Sequence, residues 1–331
     1  MIPRTLQVVG LALVMGVSGG SDASALQLNV VGTRIGSTPG GAFGSQVWAV
    51  PTLGSGSGDD VLVLELAGPQ LGSLSRYGPQ SQAPLWLLSG ADIGSQMGIN
   101  SSVAYIEDRT GDGVPDLLLG VSPGCRLIVV DGATGGQVQE IANPLACFAG
   151  GIFSASAFGS AVVVGADHNG DGFKDIYSGD MMASLGGNDA GAVLIIDAVT
   201  GALLSQIVGV CDGCNLGSQV IFADNSIPGV SADLIISSPG GAGEVTVFDS
   251  ITLQPRFSLL GADPGSRFGS SIAALGDIDA DGYSEIAVGA PFEVGSGGSS
   301  SGAAYVYSGQ SGEIMESLEI NLVVLWLRLE M

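Results

Sequence analysis

Short apolar runs alternate with glycine-rich turns along most of this chain. Typical runs are Asp60-Val-Leu-Val-Leu, Ala192-Val-Leu-Ile-Ile-Asp, Ala202-Leu-Leu-Ser-Gln-Ile-Val, Asp233-Leu-Ile-Ile-Ser-Ser and Ile286-Ala-Val-Gly289. Each is about strand length and rich in β-branched residues, and turn residues bound it, so the pattern predicts β-strands. Some runs are apolar throughout, as in strands buried on both faces. The clearest stretch continues from Ile286 through Gly302-Ala-Ala-Tyr-Val-Tyr-Ser-Gly to Gly312-Glu-Ile-Met-Glu-Ser-Leu. With Phe268-Gly269-Ser-Ser-Ile-Ala-Ala-Leu-Gly before it, this makes four strands in one unit.

That unit recurs. Phe158-Gly159 lies nine residues before Asp167, as Phe268-Gly269 lies before Asp277. Copies begin near residues 43, 97, 158, 216 and 268, a period of 52 to 61 residues. Four strands per period of this length is the signature of a β-propeller blade. The expected fold is all-β, a propeller of four-stranded blades over residues 26–320. Five copies are detectable. Leu26-Gln-Leu-Asn-Val-Val-Gly mirrors Phe257-Ser-Leu-Leu-Gly, so it is expected to supply an outer strand that completes a blade and removes an open edge.

Three copies carry the same acidic loop. They are Asp108-Arg-Thr110-Gly-Asp112-Gly-Val114-Pro-Asp116, Asp167-His-Asn169-Gly-Asp171-Gly-Phe173-Lys-Asp175 and Asp277-Ile-Asp279-Ala-Asp281-Gly-Tyr283-Ser-Glu285. Oxygen side chains stand at positions 1, 3, 5 and 9, with glycine at position 6. Calcium takes about 6 to 8 oxygen ligands in irregular geometry. Alternate residues of a tight loop converge on one point, and Gly113, Gly172 and Gly282 permit the sharp turn. The carbonyls of Val114, Phe173 and Tyr283 are candidate backbone ligands. About three calcium sites are therefore expected. An EF-hand needs a bidentate Glu at position 12, where this chain has Leu119, Ser178 and Val288. The alternative is an Asp/Gly-rich turn that holds no ion. Two further copies have lost the acids. One offers Asn225, Ile227, Gly229 and Asp233 at the cage positions, the other Thr52, Gly54, Gly56 and Asp60.

The frame of Phe-Gly, acidic loop and Gly289-Ala290-Pro291 resembles the FG-GAP repeat of the integrin α-subunit propeller. The resemblance is sharpest at 266–318 and 156–208. Elsewhere it is degenerate, with Gly120-Val-Ser-Pro123, Gly179-Asp180 and Ser237-Ser-Pro239 in place of Gly-Ala-Pro. It implies a seven-bladed ring with calcium in hairpin loops on one face and ligands on the other. Five copies make this either a truncated seven-bladed ring or a true five-bladed one. Residues 321–331 fit no blade position and are too short an apolar stretch to span a bilayer.

Charge and cysteines narrow the setting. The net charge of −23 reflects 32 acids against nine bases. It argues against nucleic acid, which needs clustered Lys and Arg. Met1–Ala25 reads as a secretory signal, with Arg4, an apolar stretch from Leu6 to Val17 and a small-x-small site at Ala23-Ser-Ala25. The protein is thus expected outside the cell, either secreted or at its surface, in the extracellular or periplasmic space. Exported cysteines pair, and Cys125–Cys147 and Cys211–Cys214 are nearest in sequence. Asn100-Ser-Ser102 is a formal glycosylation sequon. The single histidine, His168, reads as an exposed filler, and no catalytic triad builds on it. The leading expectation is a calcium-binding module for an extracellular protein or glycan ligand, and not an enzyme. The alternatives are the propeller portion of an extracellular hydrolase or lyase, phospholipase D-like or polysaccharide-degrading, and a purely architectural surface protein.

Overall fold

The computed structural model describes residues 42–50, 60–66, 72–78, 81, 83–94, 97, 101–122, 124–145, 156–227, 229–294, 300 and 302–315. The signal segment, the strand at residue 26, Asn100, Cys147 and the 321–331 tail lie outside them. The described residues are all-β and form antiparallel β-propeller blades. They fall into two compact units. One takes the described residues of 1–99 together with Asp131–Gly136, the other those of 100–130 and 137–331.

The first unit holds one four-stranded sheet in chain order: β1 (Ala42–Val50), β2 (Asp60–Leu66), β3 (Ser73–Tyr77) and β4 (Trp86–Ser89). Its buried charge pair joins Asp60 to Arg76 through the Arg76 Nε at 2.7 Å and a second guanidinium nitrogen. Trp86 Nε1 donates to Gly132 O at 3.1 Å, in the Asp131–Gly136 turn that belongs to this unit.

The second unit holds four sheets. The first is β5 (Ser102–Ile106), β6 (Asp116–Val121), β7 (Arg126–Val130) and β8 (Gln137–Ala142). The next is β9 (Ala161–Val164), β10 (Ile176–Asp180), β11 (Ala192–Ile196) and β12 (Leu203–Val208). The third is β13 (Val220–Ala223), β14 (Asp233–Ser238), β15 (Glu244–Asp249) and β16 (Pro255–Leu260). The last has three strands, β17 (Ser271–Gly276), β18 (Glu285–Ala290) and β19 (Ala303–Tyr307). The fourth strand expected after Gly312 is represented among the described residues only by an isolated bridge, Tyr307 to Ile314.

Burial explains the runs seen in the sequence. Strands β6, β10, β14 and β18 are buried at every position. They are second strands with both faces buried, so unbroken apolar runs suit them. The fourth strands β8, β12 and β16 are half-buried or exposed at nearly every position.

The core of this unit lies between consecutive sheets. Leu118, Leu127 and Ile106 pack with Phe158, Val162 and Leu194. Val193, Tyr177 and Ile195 pack with Leu234 and Phe248. Ile235 and Val247 pack with Phe268, Ile286 and Val288. Each fully buried Phe or Leu contributes about 1.5 to 3 kcal/mol.

The Phe-Gly frame has a structural cause. Phe158 and Phe268 are fully buried. The glycines that follow have φ of +84° and +86°. Their N–H groups donate to Gly179 O at 3.1 Å and Gly289 O at 3.0 Å, tying each sheet's entry to its own second strand. A Cβ on Gly159 would lie 2.9 Å from Gly120 Cα in the preceding sheet. Glycine is therefore required there by both backbone angle and neighbour distance.

Where the third copy lacks Gly-Ala-Pro, Asp180 has a task of its own. It is 4% exposed, accepts from Ala157 N at 2.8 Å and Ser156 Oγ at 2.7 Å, and so holds the entry to its sheet.

Candidate metal centre

All three acidic loops join the first and second strands of their sheets, and they share one hydrogen-bond skeleton. In the first loop Asp108 Oδ1 accepts from Gly111 N at 2.7 Å, and Oδ2 from Gly113 N at 2.7 Å. In the second, Asp167 does the same with Gly170 N at 2.7 Å and Gly172 N at 2.9 Å. In the third, Asp277 Oδ2 accepts from Gly282 N at 3.0 Å.

The position 5 carboxylates Asp112, Asp171 and Asp281 each accept from the N–H of position 7, the residues Val114, Phe173 and Tyr283, at 2.8 Å. The position 9 carboxylates reach back to the N–H of position 2. Asp116 accepts from Arg109 at 2.7 Å, Asp175 from His168 at 2.8 Å and Glu285 from Ile278 at 2.6 Å.

Two positions per loop take the left-handed conformation. Position 6 is glycine with φ of +84°, +93° and +96°. Position 4 is Gly111, Gly170 and Ala280, with φ of +79°, +76° and +65°. The sequence reading singled out position 6 only. The glycine at position 4 in two loops was the available signal for the second turn. Ala280 holds that conformation against its own Cβ, which disfavours it by about 1–2 kcal/mol.

Position 3 differs among the loops. Thr110 Oγ1 is turned onto Asp108 Oδ1 at 3.1 Å. Asn169 Oδ1 accepts from Asp171 N at 2.9 Å, while its Nδ2 donates to Asp197 Oδ2 at 3.0 Å. Asp279 Oδ1 accepts from Asp281 N at 3.1 Å.

Among the described residues, one group of three acids converges. Asp277, Asp279 and Glu285 each bring an oxygen to within 4.8 Å of the others. Asp281, the expected position 5 ligand, is not in this group. Its Oδ1 is engaged by Tyr283 N.

Electrostatics set the innermost acids apart. Glu285 and Asp175 are fully buried. Each has one carboxylate oxygen, Glu285 Oε1 and Asp175 Oδ1, without a hydrogen-bond partner of normal geometry. Burial pushes the Glu285 pKa up. Ile278 N–H opposes the shift, Asp279 and Asp281 add to it, and Gly309 N–H opposes it more weakly. Burial also pushes Asp175 up, against the His168 N–H, with Asp197 and Asp167 adding to the shift. Asp108 is held below the usual range by the Gly113 and Gly111 N–H groups. A buried acid oxygen with no donor of normal geometry, beside two or three further acids, suits a hard cation. The chemistry of the loops thus fits calcium.

Several groups were not legible from the loop spacing. Asp197 lies 28 residues beyond Asn169 and joins it at the loop's rim. It belongs to a recurrent turn. Asp131, Asp197 and Asp249 each accept from the N–H groups two and three residues on. A Thr three places after the Asp was the available signal.

His168 is half-buried rather than an exposed filler, with Nε2 2.5 Å from Tyr177 Oη. The acid-poor copies place their remaining acid against an arginine. Asp60 pairs with Arg76, and Asp233 Oδ2 lies 2.5 Å from Arg256 Nη1. Cys211 and Cys214 form a disulfide, with Cα atoms 5.6 Å apart. Cys125 is disulfide-bonded as well, and its expected pairing with Cys147 lies outside the described residues.

Known proteins share this frame. The family model described as FG-GAP repeat matches residues 268–307, the segment from Phe268 through β19. Integrin alpha-E of Mus musculus is 36% identical over 129 residues, 35% of this chain. Integrin alpha-5 of Xenopus laevis is 31% identical and integrin alpha-V of Gallus gallus 32%, each over 176 residues or 49% of this chain. The matches cover 11% to 16% of the length of these relatives.

Among solved structures, Saccharomyces cerevisiae Sqt1 superposes with a TM-score of 0.50 at 14% identity, over 82% of this chain and 60% of that one. That is a likeness of fold alone. No helix among the described residues is long and apolar enough to cross a membrane. With the repeat matched at 268–307 and its frame recurring in the other sheets, this chain carries an FG-GAP repeat and resembles integrin α subunits over part of its length.

Proposed function

We propose that the protein is a secreted, calcium-stabilised integrin-like module that binds an extracellular protein or glycan. The observation that carries the calcium reading is the Asp277, Asp279 and Glu285 group, with a buried Glu285 Oε1 that lacks a protein donor of normal geometry. Asp277, Asp279, Asp281 and Glu285 would hold the ion in the third loop, with the Tyr283 carbonyl. Asp167, Asn169, Asp171 and Asp175 would do so in the second, with the Phe173 carbonyl. Asp108, Thr110, Asp112 and Asp116 would do so in the first, with the Val114 carbonyl. A bound cation would neutralise the clustered acids, and its binding free energy would add to folding stability. Export is supported by the leader-like segment 1–25 and is what a weak extracellular calcium module requires. Binding rather than catalysis is supported by the resemblance to integrin α subunits.

Calcium titration calorimetry on the chain, with melting curves in calcium and in EDTA, tests the metal reading. About three sites and a higher melting temperature in calcium are expected. Absence of both would overturn it. Glycan and matrix-protein arrays, with and without EDTA, test the ligand reading, and calcium-dependent capture is the expected result.

A further inference from the structure

The third sheet of the second unit has a loop that lost its acids, yet this loop is built into the neighbouring cation loop. Ser226 Oγ donates to Asp277 Oδ2 at 2.9 Å. Ser226 N donates to Gly282 O at 2.8 Å, the carbonyl of position 6. Asn225 Oδ1 accepts from Ser284 N at 3.3 Å. A Cβ on Gly282 would lie 2.3 Å from the Ile227 side chain, so the two loops are in tight apposition. On the same side Arg256, paired with Asp233, places its guanidinium 4.8 Å from the centre of the Tyr283 ring. Contacts thus run from one acid-poor copy to four positions of the next loop, 1, 6, 7 and 8.

These contacts coincide with a difference among the loops. In the first two, the position 1 carboxylate spends both oxygens on N–H groups of its own loop. In the third, Asp277 Oδ2 takes Gly282 N and the Ser226 hydroxyl. The third is also the loop whose carboxylates converge among the described residues.

We propose that the Asn225–Ile227 segment is a positioning element for the cation loop of the following sheet, with Ser226 as its principal residue. The proposal rests on the calcium reading above. Ser226 does not ligate. Its hydroxyl, nearer to Asp277 Oδ2 at 2.9 Å than to Gly282 O at 3.3 Å, anchors Oδ2 and would leave Oδ1 for the ion. A donor that holds a ligand without touching the ion orients that ligand, and its loss typically lowers metal affinity about 10- to 100-fold. On this view the copy that lost its own acids serves its neighbour's site, and calcium there fastens two consecutive sheets together.

The test uses the full chain carrying Asp112→Asn and Asp171→Asn, so that the Asp277 loop dominates titration. Calcium affinity is measured by calorimetry in this parent, in Ser226→Ala and in Ser226→Thr. Ser226→Ala is expected to bind about 10-fold more weakly, with Ser226→Thr close to the parent because it keeps the hydroxyl. The melting temperature is read with EDTA and with saturating calcium. A purely structural role would lower the EDTA value and leave affinity within twofold, which would overturn the proposal. Equal loss in Ser226→Ala and Ser226→Thr would also overturn it. No calcium binding by the parent or by the unaltered chain would instead defeat the calcium reading on which the proposal rests.

Discussion

At the residue scale the loops are held by backbone N–H groups donating to carboxylates, and each acid has a distinct task. Asp279 is exposed, converges with Asp277 and Glu285, and spends one oxygen on Asp281 N. Asp279→Asn is therefore expected to weaken calcium binding at that loop by at least about tenfold, read by calorimetry, since it removes one charge from the cage.

The pH dependence follows from burial. Burial raises the Glu285 and Asp175 pKa values above the ordinary carboxylate range. In the metal-free chain their folded pKa exceeds the unfolded one. They thus weaken folding progressively as pH rises from the unfolded value through the folded one. Calcium needs both acids ionised, so the sign reverses when it is bound. The calcium-induced rise in melting temperature should be small near pH 4 and full near about pH 7. A pH-independent increment would contradict this.

Glycine roles separate at this scale too. Gly159→Ala adds a Cβ 2.9 Å from Gly120 Cα at φ +84°, whereas Gly111→Ala at φ +79° meets nothing within 4 Å. Urea unfolding should show a loss of about 2 kcal/mol or more for the first, from overpacking plus backbone strain, and about 1 kcal/mol for the second.

At the element scale the sheets β5–β8, β9–β12, β13–β16 and β17–β19 share one plan. Their second strands are buried throughout, the entry glycines Gly159, Gly217 and Gly269 bond to the ends of β10, β14 and β18, and turns at Asp131, Asp197 and Asp249 join the third and fourth strands of the first three. In the last sheet Ser308 takes the place of that Asp, accepting at Oγ from Gln310 N at 3.2 Å and Ser311 N at 3.3 Å. The Cys211–Cys214 disulfide closes a very short loop just before the Leu216-Gly217 entry. Loop-entropy arguments give so short a closure about 2 kcal/mol. The double change Cys211→Ser, Cys214→Ser should therefore lower the melting temperature modestly and leave calcium affinity unchanged. Strand spacing and the Phe-Gly-to-loop interval were legible at this scale, because short apolar runs and glycine punctuation are local properties. The tie of Asp180 to Ser156 and Ala157 was not, since a strand-end Asp without Pro reads only as a degenerate motif.

At the scale of the whole molecule, acidic loops and arginine pairs divide the copies. All three acidic loops belong to the second unit. In the first unit the corresponding acid, Asp60, is buried against Arg76. A guanidinium there supplies the positive charge that a buried carboxylate needs. Chelation should therefore increase amide exchange around β9, β10, β17 and β18 and leave β2 and β3 unchanged. Equal response of both units to EDTA would argue against this division.

The sequence by itself determined the all-β class, the repeat and the three loops with their oxygen positions. Each is a short-range pattern in which a few adjacent residues satisfy one geometric rule. Tertiary structure decided which acids converge and which oxygens stay without donors. It also brought Ser226 to Asp277 across 51 residues, and Arg256 to both Asp233 and Tyr283. Those partners come from different strands or different sheets, and only the packing of sheet against sheet puts them within hydrogen-bond or stacking distance.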